Sequence, residues 1–324
     1  MSIRFIEKVS AAADIVNLPN AAGIGVLNGQ PLMRTASGLI PIGAVNPTGA
    51  LDYYVDLNVS ASGDGLSPAT AFGTIAEAIA ASNISIGLTA NRWWARRNRI
   101  FVMGDGITES LTVLPEKCDI IGMGSDLYPF PRVIGVQTIA AGAVGCRIIN
   151  MGFISTGAGA TMTIPAGCHG FQLLGCLFLP TVTGSTIGLS ITDTAACKII
   201  GNTFQPAAGD PATGVYATCI SVLGTVGHEM EIAENKMWGT AGILIAATVA
   251  GFGSILRENI IRAIDLPIND DSDDFMIVNN RWITDINTGT STAGWDFNLA
   301  LAVGNIQMGV TGLCDTVPYT KIAE

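Results

Sequence analysis

Charge is scarce in this chain: 13% of its 324 residues are Asp, Glu, Lys or Arg, about half the usual share of a soluble protein. Aromatic residues are also few, at 6%, although 49% of positions are hydrophobic and 39 are Gly. The apolar bulk is therefore carried by small side chains. Low charge combined with high hydrophobicity excludes a disordered chain. Cations are scarcer still, with 16 Lys and Arg against 26 Asp and Glu for a net charge of −10, which argues against a nucleic-acid partner. The opening MSIRFIEKVSAAADIV lacks the uninterrupted apolar stretch of a secretory signal. CxxC pairs are absent among the seven cysteines, which run from Cys118 to Cys314. The cysteines are expected to be reduced and buried, as in a protein assembled in a cytosol. Gly239 to Leu256 is a run of 18 residues without a charge, four of them glycines. That is close to the ~20 residues needed to cross a bilayer, but the run falls in phase with a repeat, so no membrane partner is expected.

What is present is that repeat. The segments CDIIGMGS, CRIINMGF, FQLLGCLF, CKIIGNTF, MEIAENKM, SILRENII, FMIVNNRW and ALAVGNIQ align without internal gaps. Their sixth residues are Met123, Met151, Cys176, Asn202, Asn235, Asn259, Asn280 and Asn305, spaced by 28, 25, 26, 33, 24, 21 and 25 residues. A constant segment with variable spacing means that loops vary while a structural unit recurs.

The third column is aliphatic throughout: Ile120, Ile148, Leu173, Ile199, Ile232, Leu256, Ile277 and Ala302. The first column is mostly apolar and includes Cys118, Cys146 and Cys197, whereas the second is polar in five of eight segments. This in, out, in pattern is that of a strand. The fifth and sixth columns, as in Gly201-Asn202 and Asn279-Asn280, are rich in residues that adopt the left-handed conformation and so turn a corner. The eighth column returns to bulk with Phe153, Phe178, Phe204, Met237, Ile261 and Trp282, leaving Ser125 and Gln307 at its ends. Further apolar runs follow at Ile187 to Ile191, Val215 to Val222, Gly242 to Ala246 and Ile264 to Ile268. Each unit thus holds about three strands, and stacked units at ~4.8 Å make a parallel β-solenoid.

A solenoid exposes an apolar end that must be covered. Thr74 to Ser82 has helix-forming composition with Ile75, Ala78 and Ile79 on one face, and it suits a cap. Arg99 to Gly106 and Leu111 to Val113 then alternate like strands. The order YVDLNVSASGDGLSPATAFGTIAEAIAAS followed by RIFVMGDGITESLTVLPEKCDIIGMGS closely resembles the opening of pectin-lyase-like right-handed parallel β-helix proteins. The resemblance covers about Tyr53 to Gln307, with an insertion around Ser82 to Asn98. It implies an all-β, single-stranded right-handed parallel β-helix of about eight or more coils, with an N-terminal capping helix and an extended arm. The expected divisions are residues 1–50 as the arm, 51–117 as cap and first coils, 118–310 as the β-helix and 311–324 as a tail.

The superfamily holds lyases, hydrolases and inert phage spikes, so fold alone does not give function. A polysaccharide-cleaving groove needs clustered carboxylates or calcium ligands on one face. The strands expected to form that face offer one charge, Asp265, and no catalytic residue or cofactor is expected. The densest acidic turn, Asp270, Asp271, Asp273 and Asp274, is either a calcium site or a solvated turn. Arg92, Trp93, Trp94, Arg96 and Arg97 are interface candidates, since Arg and Trp are favoured at protein contacts. The Cys column reads as core packing, and His169 and His228 as turn residues.

From Val133 to Asp210 the chain carries only four charges in 78 residues, so its outward side chains are small and uncharged. Such a surface is expected to be covered by neighbouring copies. Resemblance to phage spikes implies a trimeric virion structural protein, either a spike or a capsid-decorating protein. It would be assembled in the host cytoplasm and held to capsid or tail proteins through residues 1–50. A tailspike that binds or depolymerises host surface glycan and a bacterial surface adhesin of the same fold are the alternatives.

Overall fold

The computed structural model describes residues 24–27, 30–35, 38–41, 50–86, 97–111, 118–124, 131–141, 143–180, 187–206, 215–263, 267–272, 274–284, 296–297, 302–303, 306–308 and 314–316. These form one α-helix and 29 strands. Almost all the strand pairs are parallel, an all-β architecture compatible with a parallel β-helix.

The coil has three faces. Face one is a ten-stranded sheet running from Asp52–Asp56 through Asn98–Met103, Cys118–Gly122, Arg147–Ile149, Gln172–Leu174, Lys198–Ile200, Glu231–Ala233, Ile255–Arg257 and Met276–Val278 to Ala302–Val303. Each of these strands opens one rung, so Glu231–Ala233 opens the seventh. Face two stacks Ile107–Thr108, Arg132–Ile134, Gly152–Ile154, Leu177–Leu179, Thr203–Phe204, Lys236–Ile245, Ile260–Ala263, Arg281–Thr284 and Ile306–Met308. Face three stacks Gln137–Thr138, Ala160–Ile164, Ile187–Thr192, Tyr216–Leu223, the second half of Lys236–Ile245, Ile268–Asp270 and Asp296–Phe297. Strand Lys236–Ile245 crosses from face two to face three without a break. Cys314–Thr316 pairs antiparallel with Ile306–Met308 and ends the ladder of face two.

The register follows the sequence columns. The third-column residues pair in succession from Ile120 to Ala302, and the eighth-column residues from Phe153 to Gln307. Ser125 lies outside the described residues, and the residue that pairs with Phe153 on the preceding rung is Val133. From Ile120 to Ile277 and from Phe153 to Trp282 the two columns point inward, where Ile148, Leu173, Phe178, Ile232 and Trp282 are fully buried. Burying each such side chain contributes roughly 1.5–3 kcal/mol. Phe153, Phe178 and Phe204 form an aromatic stack with centroids 5.5 and 4.7 Å apart.

The corner from face one to face two is made by the fifth column alone. Asn150, Gly175, Gly201, Glu234, Glu258 and Asn279 all have φ between 54° and 68°. The sixth column has a different task from the one its composition implied. Asn202, Asn235, Asn259 and Asn280 are fully buried and form a ladder. The Oδ1 of each accepts from the backbone N–H of the sixth-column residue one rung earlier, at 2.9–3.0 Å. The Nδ2 of Asn202, Asn235 and Asn259 donates to the next Oδ1 at 2.9–3.0 Å. All four Nδ2 groups also donate to the third-column carbonyl of the preceding rung, Leu173, Ile199, Ile232 and Leu256 in turn, at 2.8–3.0 Å. A second left-handed corner joins face three to face one at Gly145, Gly170, Ala196, Glu229 and Gly253.

The N-terminal end is closed by helix α1, Ile75–Ile86, which buries Ile75, Ala78, Ile79 and Ile86 and runs four residues beyond its expected end. Thr74 and Glu77 form a capping box. The carboxylate of Glu109 accepts the Ile75 and Ala76 N–H groups. The GDG lead-in has a steric reason. A Cβ on Gly65 would lie 2.1 Å from the Phe72 ring, and one on Gly63 would lie 2.3 Å from the Thr70 carbonyl oxygen. The Phe72 N–H donates to the Tyr54 carbonyl, and the Phe72 and Gly65 carbonyls accept from the N–H groups of Asp56 and Tyr54, so this loop covers the first edge of face one. The run from Gly239 is strand and turn, and no helix among the described residues is long and apolar enough to cross a membrane. Within residues 1–50 the described strands, Ile24–Leu27, Gln30–Thr35 and Gly38–Pro41, form an antiparallel sheet of their own.

Candidate functional surface

Face one carries two outward columns. The second column alternates in charge: Asp52 pairs with Arg99 through two hydrogen bonds of 2.7 and 2.8 Å. The carboxylate of Asp119 accepts from Arg147 at 2.6 and 3.0 Å and from Arg97 at 3.4 Å. Further on, Glu231 accepts from Arg257 at 2.7 Å and lies 3.5 Å from Lys198. These bonds hold the Glu231 carboxyl below its usual range. Each partly exposed pair is worth ~0.2–1 kcal/mol, while Asp119 itself is fully buried beneath its arginines. Of the interface candidates, Arg97 is thus an ion-pair partner of the rung. Arg92, Trp93, Trp94 and Arg96 lie outside the described residues.

The other outward column is apolar over its first six rungs, and its member on the eighth is Arg257. Tyr54, Phe101, Ile121, Ile149, Leu174 and Ile200 are in register on successive rungs, and all six are only partly buried. Five steps of ~4.8 Å make a stripe about 24 Å long. Tyr54 and Phe101 stack at 5.6 Å.

Face three presents Thr163, Ser190, Ser221, Leu244 and Asn269 outward in one column. These five positions carry no charge; the next position in register is Asp296, on the strand that pairs with Ile268–Asp270. Asp265 lies outside the described residues.

The acidic turn does not converge. Oδ1 of Asp270, a buried residue, accepts from the N–H and hydroxyl of Ser272. Asp271 is exposed, and Asp274 accepts from the N–H of Gly251 at 3.2 Å. Asp273 lies outside the described residues. No group of three or more His, Cys, Asp or Glu among the described residues could hold a metal ion.

Cys118, Cys146, Cys168, Cys176, Cys197 and Cys219 are buried and free. Burial pushes the Cys168 thiol up to about 11 and that of Cys176 up to about 12, so neither supplies a thiolate nucleophile near neutral pH. His169 and His228 sit in turns. The first accepts from the N–H of Ala195, and the second stacks on Phe252 at 5.5 Å.

The register also assembles a patch that the sequence columns had not been searched for. On face two Lys236, Ile260 and Arg281 stand in one outward column and Trp238 and Arg262 in the next. The Arg262 guanidinium lies 3.9 Å from the Trp238 ring centroid. Lys236, Ile260 and Arg281 are exposed.

No protein-family model, curated protein or solved structure matches the chain.

Proposed function

We propose that the protein is a virion structural component: a right-handed, pectin-lyase-like β-helical spike or capsid-decorating protein of a phage. It works as a homotrimer of parallel rods held to capsid or tail proteins through residues 1–50, with 311–324 as a tail. The observation that carries this reading is the apolar stripe Tyr54–Phe101–Ile121–Ile149–Leu174–Ile200 on face one. An aligned apolar surface of that length on a rod is what packing between copies uses. The absence of charge from the first five strands of face three and the self-paired charges of face one support a structural role over a catalytic one. A second reading is a spike that binds or depolymerises host surface polysaccharide. It is favoured by the Trp238–Arg262 stack, since aromatic and Arg side chains together suit sugar contacts.

Two measurements test the proposal. Sedimentation or light scattering should give three times the chain mass. A chain lacking residues 1–50 should remain a folded rod but fail to join virions. Assembly of the truncated chain into particles would defeat the anchor assignment, and turnover of host polysaccharide would favour the second reading.

A further inference from the structure

The charges of rungs seven to nine fall into three groups around the coil: Glu231, Glu234 and Glu258 gather on Arg257 at face one and its corner with face two, and the other two groups lie on either side of them. Face two presents Lys236 on rung seven, Arg262 on rung eight and Arg281 on rung nine, with exposed Ile260 among them. For Lys236 and Arg281 no ion pair is formed among the described residues. The corner joining face three to face one carries the opposite sign at the same height. Exposed Glu229 precedes the seventh rung, and exposed Asp271 and half-buried Asp274 lie between the eighth and ninth. Phe252 projects from that corner, 65% exposed and stacked on His228. Within one molecule the basic face and the acidic corner cannot meet, because face one lies between them.

We propose that these two surfaces are the two halves of one contact between copies of this chain, made head to tail around a three-fold axis. The inference rests on the oligomeric reading above and deepens it. Face one is flanked by the acidic corner on one side and by face two on the other. Rods that turn face one toward a shared axis bring the acidic corner of each copy beside the basic face of the next. Parallel rods at equal height then set Glu229, Asp271 and Asp274 against Lys236, Arg262 and Arg281. Phe252 meets the Ile260 and Trp238 surface. Both halves mix an apolar centre with charge, the composition of a specific contact rather than of a solvated rim. A heterologous contact of this kind closes into a ring.

Charge reversal tests this. Lys236→Glu with Arg281→Glu, and separately Glu229→Lys with Asp271→Lys, should each weaken association at least ~100-fold, because like charges then face each other at every interface. The chain carrying all four reversals should recover the native mass. Each variant is checked for native circular dichroism, which surface substitutions leave unchanged. Raising salt to about 0.5 M should weaken the unmodified oligomer. Retention of the trimer by both pairs of reversals would overturn this contact while leaving the trimer reading intact, and would free the basic face for a foreign anionic partner. A monomeric unmodified chain would instead defeat the oligomeric reading itself.

Discussion

Replacing Asn235 by Ala should remove a link from the middle of the buried amide ladder. The Asn235 side chain makes four hydrogen bonds. Its Oδ1 accepts from Asn202 N and Nδ2, and its Nδ2 donates to Ile199 O and Asn259 Oδ1. Asn259 Oδ1 keeps a partner after the substitution, because the Asn235 backbone N–H still donates to it. The Asn202 backbone N–H and one of its two Nδ2 hydrogens lose theirs in a site that water does not reach, at ~1–3 kcal/mol each, while the other Nδ2 hydrogen keeps the Leu173 carbonyl. With the vacated space the expected loss is about 4 kcal/mol, or a fall in Tm of roughly 8–16 °C for a chain of this size. Asn235→Asp keeps the shape but puts a carboxylate oxygen where Nδ2 donated, facing two acceptors. Burial and that geometry raise the folded pKa above its unfolded value of about 3.9. The penalty is therefore smallest below about pH 4, where the carboxyl is protonated and can donate, and it grows as pH rises through the folded pKa. Asn279→Gly is the control: this exposed neighbour of the ladder has φ of 54°, so Gly should leave stability unchanged or raised. Thermal unfolding followed by circular dichroism at pH 4 and pH 7 reads all three. A loss below ~1 kcal/mol for Asn235→Ala, or an Asp variant indifferent to pH across that window, would refute the ladder's role.

Glycine substitutions should separate conformation from space. Gly201→Ala puts its Cβ no nearer than 3.9 Å to any atom and should cost only the left-handed backbone penalty of ~1–2 kcal/mol. Gly65→Ala drives a Cβ into the Phe72 ring and should loosen the N-terminal closure by considerably more, measured by the same melt. Asp119→Ala should cost ~2–3 kcal/mol, since two arginines then lose the buried carboxylate they share; a loss under ~0.5 kcal/mol would mean that the arginines are satisfied by water. Acid should destabilise the fold. Arg132 holds the Asp105 carboxyl low, Arg257 does so for Glu231, and the Thr70 hydroxyl does so for Asp64. Their contribution is complete above the unfolded carboxylate values near ~4 and is lost as pH falls through the lower folded ones. A flat melting temperature between about pH 5 and pH 2 would contradict it. The six buried cysteines from Cys118 to Cys219 should resist a thiol reagent at about pH 8 in the native protein and all react in denaturant, because burial shields them and raises the thiol pKa of Cys146, Cys168, Cys176, Cys197 and Cys219; rapid native labelling of Cys176 would show its rung to be open.

How the rungs stack was legible because two columns combine bulk with a fixed offset. Ile120 to Ala302 and Phe153 to Gln307 can pair in one register only without turning the core residues outward. The first unit departs from the even offset, since Val133 stands ten residues after Met123 and pairs with Phe153, and no column statistic marks such a shift inside a single unit. The asparagines were misjudged because the same residue type serves left-handed corners and buried amide ladders. Parity held the answer: two positions back from an inward Phe204 or Met237 lies another inward residue. Lys236, Trp238, Arg262 and Arg281 were missed because they are scattered over 46 positions of sequence and meet only through the pairing of three strands. Reading the seventh and ninth columns downward would have found them. The Arg92 to Arg97 run drew notice by being contiguous, yet Arg97, its described member, is spent within the rung on Asp119.

A ladder of parallel strands is a template that copies itself: its last rung offers the same hydrogen-bonding pattern as every rung before it, and a second molecule could add there as another turn of the same rod. The strand Cys314–Thr316 reverses polarity against Ile306–Met308. An incoming parallel coil would find donors and acceptors out of phase on face two, so this short strand works as a chain terminator, keeping a self-propagating geometry at a fixed length.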